Sequence, residues 1–356
     1  MKTIEILTQE AIALLKALIE TPSFSGEEDQ TALLIESWFT QNGIPFQREN
    51  NNVWAFNHHF DKSKPTLLLN SHHDTVKPNQ GYTNDPFKAI EKEGKLFGLG
   101  SNDAGGCLVS LLATFVHFYN QENLPYNLVM VASAEEESSG KRGLNSVLQH
   151  LPELDCAIVG EPTLMQLAIA EKGLLVLDVV VKGTASHAAH QNEDNPIYNA
   201  MKVIDWFKTY QFEKISDVLG PVKMTVTQVT AGKQHNVVPA ECHLVVDIRV
   251  NDCYSNNEIL ATVKSHVTAE VNPRSMHLNA SSIPLQHGLV QAGIALGRTT
   301  YGSPTLSDQS VLSCQSLKLG PGETLRSHSS DEFIYINEIE EGIQLYIKIL
   351  TDFFKQ

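Results

Sequence analysis

Apolar residues recur at helical spacing over residues 4–20, and Thr21-Pro22-Ser23 stops that helix, because the residue before a proline avoids the helical region. Ser25-Gly26-Glu27-Glu28 reads as the opening of a second helix through about Asn42, with acids in its first turn and Gly43 at its end. Strands are expected at 46–49 and 52–57. Four short runs then stand out as strands, at 66–70, 126–134, 155–160 and 314–319, the first three largely apolar. Runs of this length without alternation suit strands buried on both faces, as in a parallel sheet. Helices are expected from about Cys107 to Tyr119, from Gly143 to about His150, and over about 336–354.

Between the third and fourth runs the texture changes. Residues 174–183 alternate apolar and polar, a helix opened by Asn195-Pro196 fits 196–210, and strands fit 222–230, 236–239 and 241–250. A helix fits 255–268 and a last strand about 275–280. The order strand–helix–strand–strand–helix–strand is that of a small split βαβ layer. The expectation is therefore an α/β protein. Residues 1–174 and 281–356 form one domain around a mixed sheet flanked by helices, and 175–280 form an inserted α+β, ferredoxin-like domain.

Composition narrows the function classes. The 356 residues carry 26 Lys and Arg against 41 Asp and Glu, a net charge of −15. That balance argues against nucleic acid or an anionic membrane surface as partner. Five cysteines without a CxxC pair suggest neither a disulfide framework nor a thiolate zinc site. The acid-containing start is unlike a signal peptide, no run approaches the length of a membrane span, and a cytoplasmic setting is inferred. The glycines at 98–106 lack both the GxGxxG spacing and the P-loop lysine, so a nucleotide loop is not indicated.

The chemistry sits just past these runs. The first run leads into His72-His73-Asp74, the second into Glu135-Glu136-Glu137, the third into Glu161, and the fourth, after Gly320-Pro321-Gly322, into His328. Open α/β sheets place ligands at these carboxyl ends. Asp103 falls at the start of the 107–119 helix. Two histidines with several carboxylates and no cysteine make the ligand mix of a two-metal hydrolytic site. One carboxylate must bridge the ions and one must stay free to move protons. Asp74, two residues after His72, is placed to hold that histidine's far nitrogen.

These pieces, in this order, resemble the family of zinc deacylases and peptidases that includes acetylornithine deacetylase, succinyl-diaminopimelate desuccinylase, glutamate carboxypeptidase and aminoacylase. The matching segments are Ser71-His72-His73-Asp74, Gly98-Leu99-Gly100-Ser101-Asn102-Asp103, the acidic triplet, Gly160-Glu161-Pro162-Thr163, and His328 with Asp331-Glu332. Gly183-Thr184-Ala185-Ser186-His187, Asn236-Val237-Val238-Pro239 and Asp247-Ile248-Arg249 resemble the family's lid domain.

The resemblance implies two Zn²⁺ ions, with Co²⁺ as a substitute, bridged by Asp103. His72 and Glu161 complete one ion; His328 and one glutamate complete the other. The triplet departs from the usual Asp-Glu-Glu and leaves two registers open. In the first, Glu136 is the base and Glu137 the ligand. In the second, Glu135 is the base and Glu136 the ligand. His187 is implied to stabilise the oxyanion in a partner subunit's site, which makes the expected assembly a homodimer through the lid. Arg249 and Asn236 are expected to receive a substrate carboxylate.

Leu319-Gly320-Pro321-Gly322 looks like acetylornithine deacetylases, whereas Ser307-Asp308 is closer to the desuccinylases. The expected substrate is an N-acetyl- or N-succinyl-ornithine or -citrulline of arginine biosynthesis. The alternatives are a succinyl-diaminopimelate desuccinylase or a dipeptidase and, in another class, a non-catalytic homologue that binds a partner.

Overall fold

In the computed structural model, which describes residues 2–356, the four runs become neighbouring strands of one sheet. We label them β1 (Thr66–His72), β2 (Asn127–Ser133), β3 (Cys156–Val159) and β4 (Gln315–Lys318). Their spatial order is β2-β1-β3-β4, and all run parallel. The strand Asn52–Phe56 adds antiparallel to β2, and Leu167–Glu171 adds antiparallel to β4, so the sheet is mixed.

Every residue of β1 and β2 is buried. Alternate side chains enter two different cores. Leu67 and Leu69 join Leu128 and Met130 in one. Leu68 joins Val129 and Val131 in the other. Both faces are thus covered, which is why these strands read as unbroken apolar runs rather than as alternation. Each buried leucine contributes about 1.5–3 kcal/mol relative to exposure. The larger core lies under the helices Ile4–Ile19, Gly106–Tyr119 and Ile336–Phe353.

The second helix starts at Asp29, later than Ser25, because the intervening residues form a turn with Gly26 at φ +88°. Elements absent from the pattern reading include a three-stranded sheet of Ile90–Lys92, Lys95–Phe97 and Phe333–Tyr335.

Two compact units emerge. One comprises the chain through Ile169 with Ser282–Tyr301 and Ser307–Gln356; the other comprises Ala170–Ser281 with Gly302–Leu306. In the second unit the strands lie in the order Lys223–Ala231, Glu241–Val250, Gly173–Lys182, Glu270–Pro273, all antiparallel, which is the ferredoxin-like order. Leu175, Leu177, Val179 and Val181 pack on one side with Val203, Phe207, Ile259 and Val263. The alternation over 174–183 is this one-sided burial.

The last strand of this layer is Glu270–Pro273, not 275–280. Val271 is the residue that enters the core, and the backbone after Pro273 is held instead by Asn256, whose amide donates to the carbonyls of Met276 and Leu278. Val237–Val238 pairs with Ser186–His187 outside the four-stranded layer.

Candidate active site

Parallel β1, β2, β3 and β4 end on the same edge, and each exit carries its polar residues there. Asp103 arrives from the turn Ser101–Gly105 that opens the helix Gly106–Tyr119. Gly100 begins this turn at φ +75°, a conformation glycine adopts without strain. Past β4, a Cβ on Gly320 would stand 2.5 Å from Cys107 Sγ and 2.6 Å from the Glu161 carbonyl. Only glycine lets the two strand exits approach so closely.

The side chains converge as follows. His72 Nε2 lies 3.3 Å from Asp103 Oδ1 and 3.8 Å from Glu161 Oε1. His328 Nε2 lies 2.9 Å from Glu137 Oε2 and 3.7 Å from Asp103 Oδ2. The two oxygens of Asp103 therefore face two different histidines. His72, Asp103 and Glu137 each present a ligand atom within 4.8 Å of the others, and so do His72, Glu136 and Glu161.

The electrostatics are those of crowded acids. Burial, with Asp103 and Glu137 nearby, pushes the Glu161 carboxyl up to about 8 against the pull of His72. Burial also holds Glu136 well above the usual carboxylate range, aided by Glu161. The Glu137 hydrogen bond pushes His328 up to about 9. Buried carboxylates so close together call for compensating positive charge. Donors of N and O type, clustered in two sets that share His72, fit a pair of divalent cations.

Asp74 is almost wholly buried and has more to do than orient His72. His72 Nδ1 sits 2.9 Å from the Asp74 carbonyl and 3.4 Å from its Oδ1. The same carboxylate accepts the backbone N–H of Glu136 and of Glu137, each at 3.1 Å, and the Ser25 hydroxyl at 2.7 Å. Glu135 points elsewhere: its carboxylate accepts from Arg142 Nε at 2.8 Å and Arg142 N at 3.2 Å.

Four buried residues at the site were not singled out for it by the sequence. Glu28 accepts the N–H of Gly26 at 2.6 Å and of Glu135 at 3.1 Å. Asp308 accepts the Ser133 hydroxyl at 2.5 Å, beneath the end of β2. Glu332 accepts the N–H groups of Gly100, Asn102 and Asp103. Asn102 reaches the backbone of Glu323. All four lay inside noted segments, but nothing in their local sequence foretells these partners.

His187, Asn236 and Arg249 belong to the second unit. His187 is exposed, its Nδ1 accepting the Ala189 N–H at 3.1 Å. Asn236 is exposed, and its carbonyl accepts from Ala188 N at 3.0 Å. Arg249 is paired through two nitrogens with Asp247, at 2.9 and 3.1 Å.

Comparison with known proteins adds to this geometry. Residues 68–352 match the family described as Peptidase family M20/M25/M40. Acetylornithine deacetylase of Salmonella heidelberg (strain SL476) is 29% identical over 382 residues, covering 96% of this chain and 97% of that protein. Succinyl-diaminopimelate desuccinylase 2 of Ruegeria sp. (strain TM1040) is 23% identical over 380 residues, covering 96% and 95%. A solved dinuclear metal-binding peptidase of the M20 family from Bacillus subtilis superposes with a TM-score of 0.72 at 15% identity, covering 97% of this chain and 98% of that one.

Proposed function

The chain belongs to peptidase family M20/M25/M40 and is a hydrolase of that family, and from that premise we propose that it cleaves the amide bond of an N-acyl amino acid. The substrate we infer is an N-acetyl- or N-succinyl-ornithine or -citrulline, cleaved in the cytoplasm during arginine biosynthesis. The observation that carries the reading is Asp103, one carboxylate whose oxygens address His72 and His328 separately. His72 and Glu161 would hold one cation, His328 and Glu137 the other, with Asp103 between. Bound there, two Zn²⁺ ions, or Co²⁺ in their place, would supply Lewis acidity toward water and the acyl carbonyl.

The rest of the chemistry falls to the chain's own residues. Glu136 takes the proton of the attacking water and passes it to the leaving amine. Burial and the neighbouring Glu161 raise its pKa, which favours proton uptake. The pairing of Glu135 with Arg142 supports the register in which Glu136 is the base and Glu137 the ligand. Asp74 sets the orientation of His72 and anchors the peptides of both glutamates. In a homodimer formed through the lid, His187 would stabilise the oxyanion in the partner subunit's site. Asn236 and Arg249 would receive the substrate carboxylate, and Arg249 would first exchange its Asp247 partner.

Similarity across nearly the full length of an acetylornithine deacetylase supports this substrate class. The desuccinylase relative supports a second reading, succinyl-diaminopimelate as substrate. Assaying the pure protein on acetyl- and succinyl-ornithine, acetylcitrulline, succinyl-diaminopimelate and dipeptides separates these. Turnover of a dipeptide alone would overturn the arginine assignment. Less than one zinc per chain with no amidase activity would instead favour a binding role.

A further inference from the structure

Asp103 and His328 come from segments far apart in the chain, yet they must stand at a fixed separation if they are to share a cation with Glu137. Two side chains tie these segments in opposite directions. From the first segment, Asn102 Oδ1 accepts the Glu323 N–H at 3.0 Å, and Asn102 Nδ2 donates to the Glu323 carbonyl at 3.1 Å. From the second, Glu332 Oε1 accepts the N–H of Asn102 at 2.8 Å and of Asp103 at 2.9 Å, while Oε2 accepts that of Gly100 at 3.1 Å. Both side chains are buried, and Glu332 and Asp103 are 229 residues apart in the chain.

A turn that only needed its N–H groups satisfied would normally use a neighbouring Ser, Thr or Asp as cap. Here the acceptor comes from the segment that brings His328, and it binds the peptide of Asp103 itself. The Asn102 amide repeats the arrangement in reverse, gripping Glu323 ahead of the same histidine. Carboxylates that orient a ligating residue in this way typically change metal affinity by about 10–100-fold when removed.

Resting on the dimetal reading above, we propose that Asn102 and Glu332 form a reciprocal clasp that sets the separation of Asp103 and His328. They are positioning residues: they act on the affinity for the cation held by Asp103, His328 and Glu137, and they touch neither substrate nor metal. The cation held by His72 and Glu161 shares only Asp103 with the clasp and takes its other two ligands from the ends of β1 and β3, so it depends on the clasp less.

The test is stepwise zinc titration of chelator-stripped protein against a chromophoric competitor, for wild type, Glu332→Gln and Asn102→Ala, with melting temperatures recorded alongside. Glu332→Gln sets an amide N–H against a backbone N–H, and Asn102→Ala removes both bonds to Glu323. Expected is a loss of about 10–100-fold in affinity for one zinc ion, the other changing by no more than a few-fold. Unchanged affinities with a lower melting temperature would overturn the clasp and leave a purely structural role. Equal weakening of both ions would overturn it as well. If Glu332→Gln does not fold, Asn102→Ala decides by the same readout. Failure of the dimetal reading is seen separately, as fewer than two zinc ions bound by wild type, and it removes the clasp with it.

Discussion

Asp74 Oδ1 accepts the backbone N–H of Glu136 at 3.1 Å, and the same oxygen stands 3.4 Å from His72 Nδ1. One carboxylate thus aligns a histidine from the end of β1 and a glutamate from the end of β2. Asp74→Asn keeps one acceptor oxygen and turns an N–H group against the donors on the other side, which for Oδ2 are the Glu137 N–H and the Ser25 hydroxyl. Loss of such a partner lowers metal affinity or activity by about 10–100-fold. Zinc titration together with steady-state kinetics should show both effects; wild-type values for both would refute the shared role.

The three adjacent glutamates should respond differently. Glu136→Gln is expected to lower kcat by about 10²–10⁴-fold, the usual range for a lost proton-transfer group, with zinc content kept. Glu137→Gln should lose zinc, because it removes the partner of His328. Glu135→Gln retains one acceptor for Arg142 and should stay within a few-fold of wild-type activity. Metal analysis and kinetics on the three purified variants check this ordering, and a collapse of kcat in Glu135→Gln alone would favour the other register.

Removing metal should both inactivate and destabilise the protein. The buried acids of the site repel one another unless a cation compensates them. A ligand bound only by the folded state at 1,000 times its Kd contributes about 4 kcal/mol. In a unit of this size, 1 kcal/mol moves Tm by about 2–4 °C. Calorimetry before and after chelation should show a drop of several degrees, reversed by zinc or cobalt together with activity. An unchanged melting curve would count against the cation pair.

Beneath the end of β2, Asn70 Nδ2 donates to Ser133 Oγ at 2.9 Å, and Ser133 donates to Asp308 at 2.5 Å. Burial pushes the Asp308 carboxyl up to about 6, opposed by the Ser133 hydrogen bond. Ser133→Ala takes the hydroxyl from both, leaving Asn70 Nδ2 its longer bond to the Val131 carbonyl at 3.4 Å and Asp308 its bond from Asn70. Leaving a buried polar group wholly unpaired costs about 1–3 kcal/mol, and weaker pairing costs a part of that. Chemical denaturation should show that loss of stability, and full stability in the alanine variant would mean the chain is dispensable.

Legibility in the sequence followed the range of the forces involved. β1 and β2 were readable because burial on two faces leaves an unbroken apolar run. That His72, Asp103, Glu137, Glu161 and His328 come together was readable from polar residues placed past strands and at a helix start. Glu28, Asn102, Asp308 and Glu332 were not. Their partners are backbone groups or hydroxyls on remote segments, and only the folded chain brings them together. The misplaced strand at 275–280 has a similar cause: Asn256, a helix residue, holds that backbone from outside any local pattern.

The second unit fills its core with side chains from Leu175 to Val271, whereas the cores around β1 and β2 draw, among the described residues, on segments either side of that stretch. Drift in one interior therefore leaves the other's packing untouched. A lineage could remodel the residues around His187, Asn236 and Arg249 while the packing around β1 and β2 stayed fixed. Transplanting this stretch between relatives is the laboratory counterpart of that division of labour.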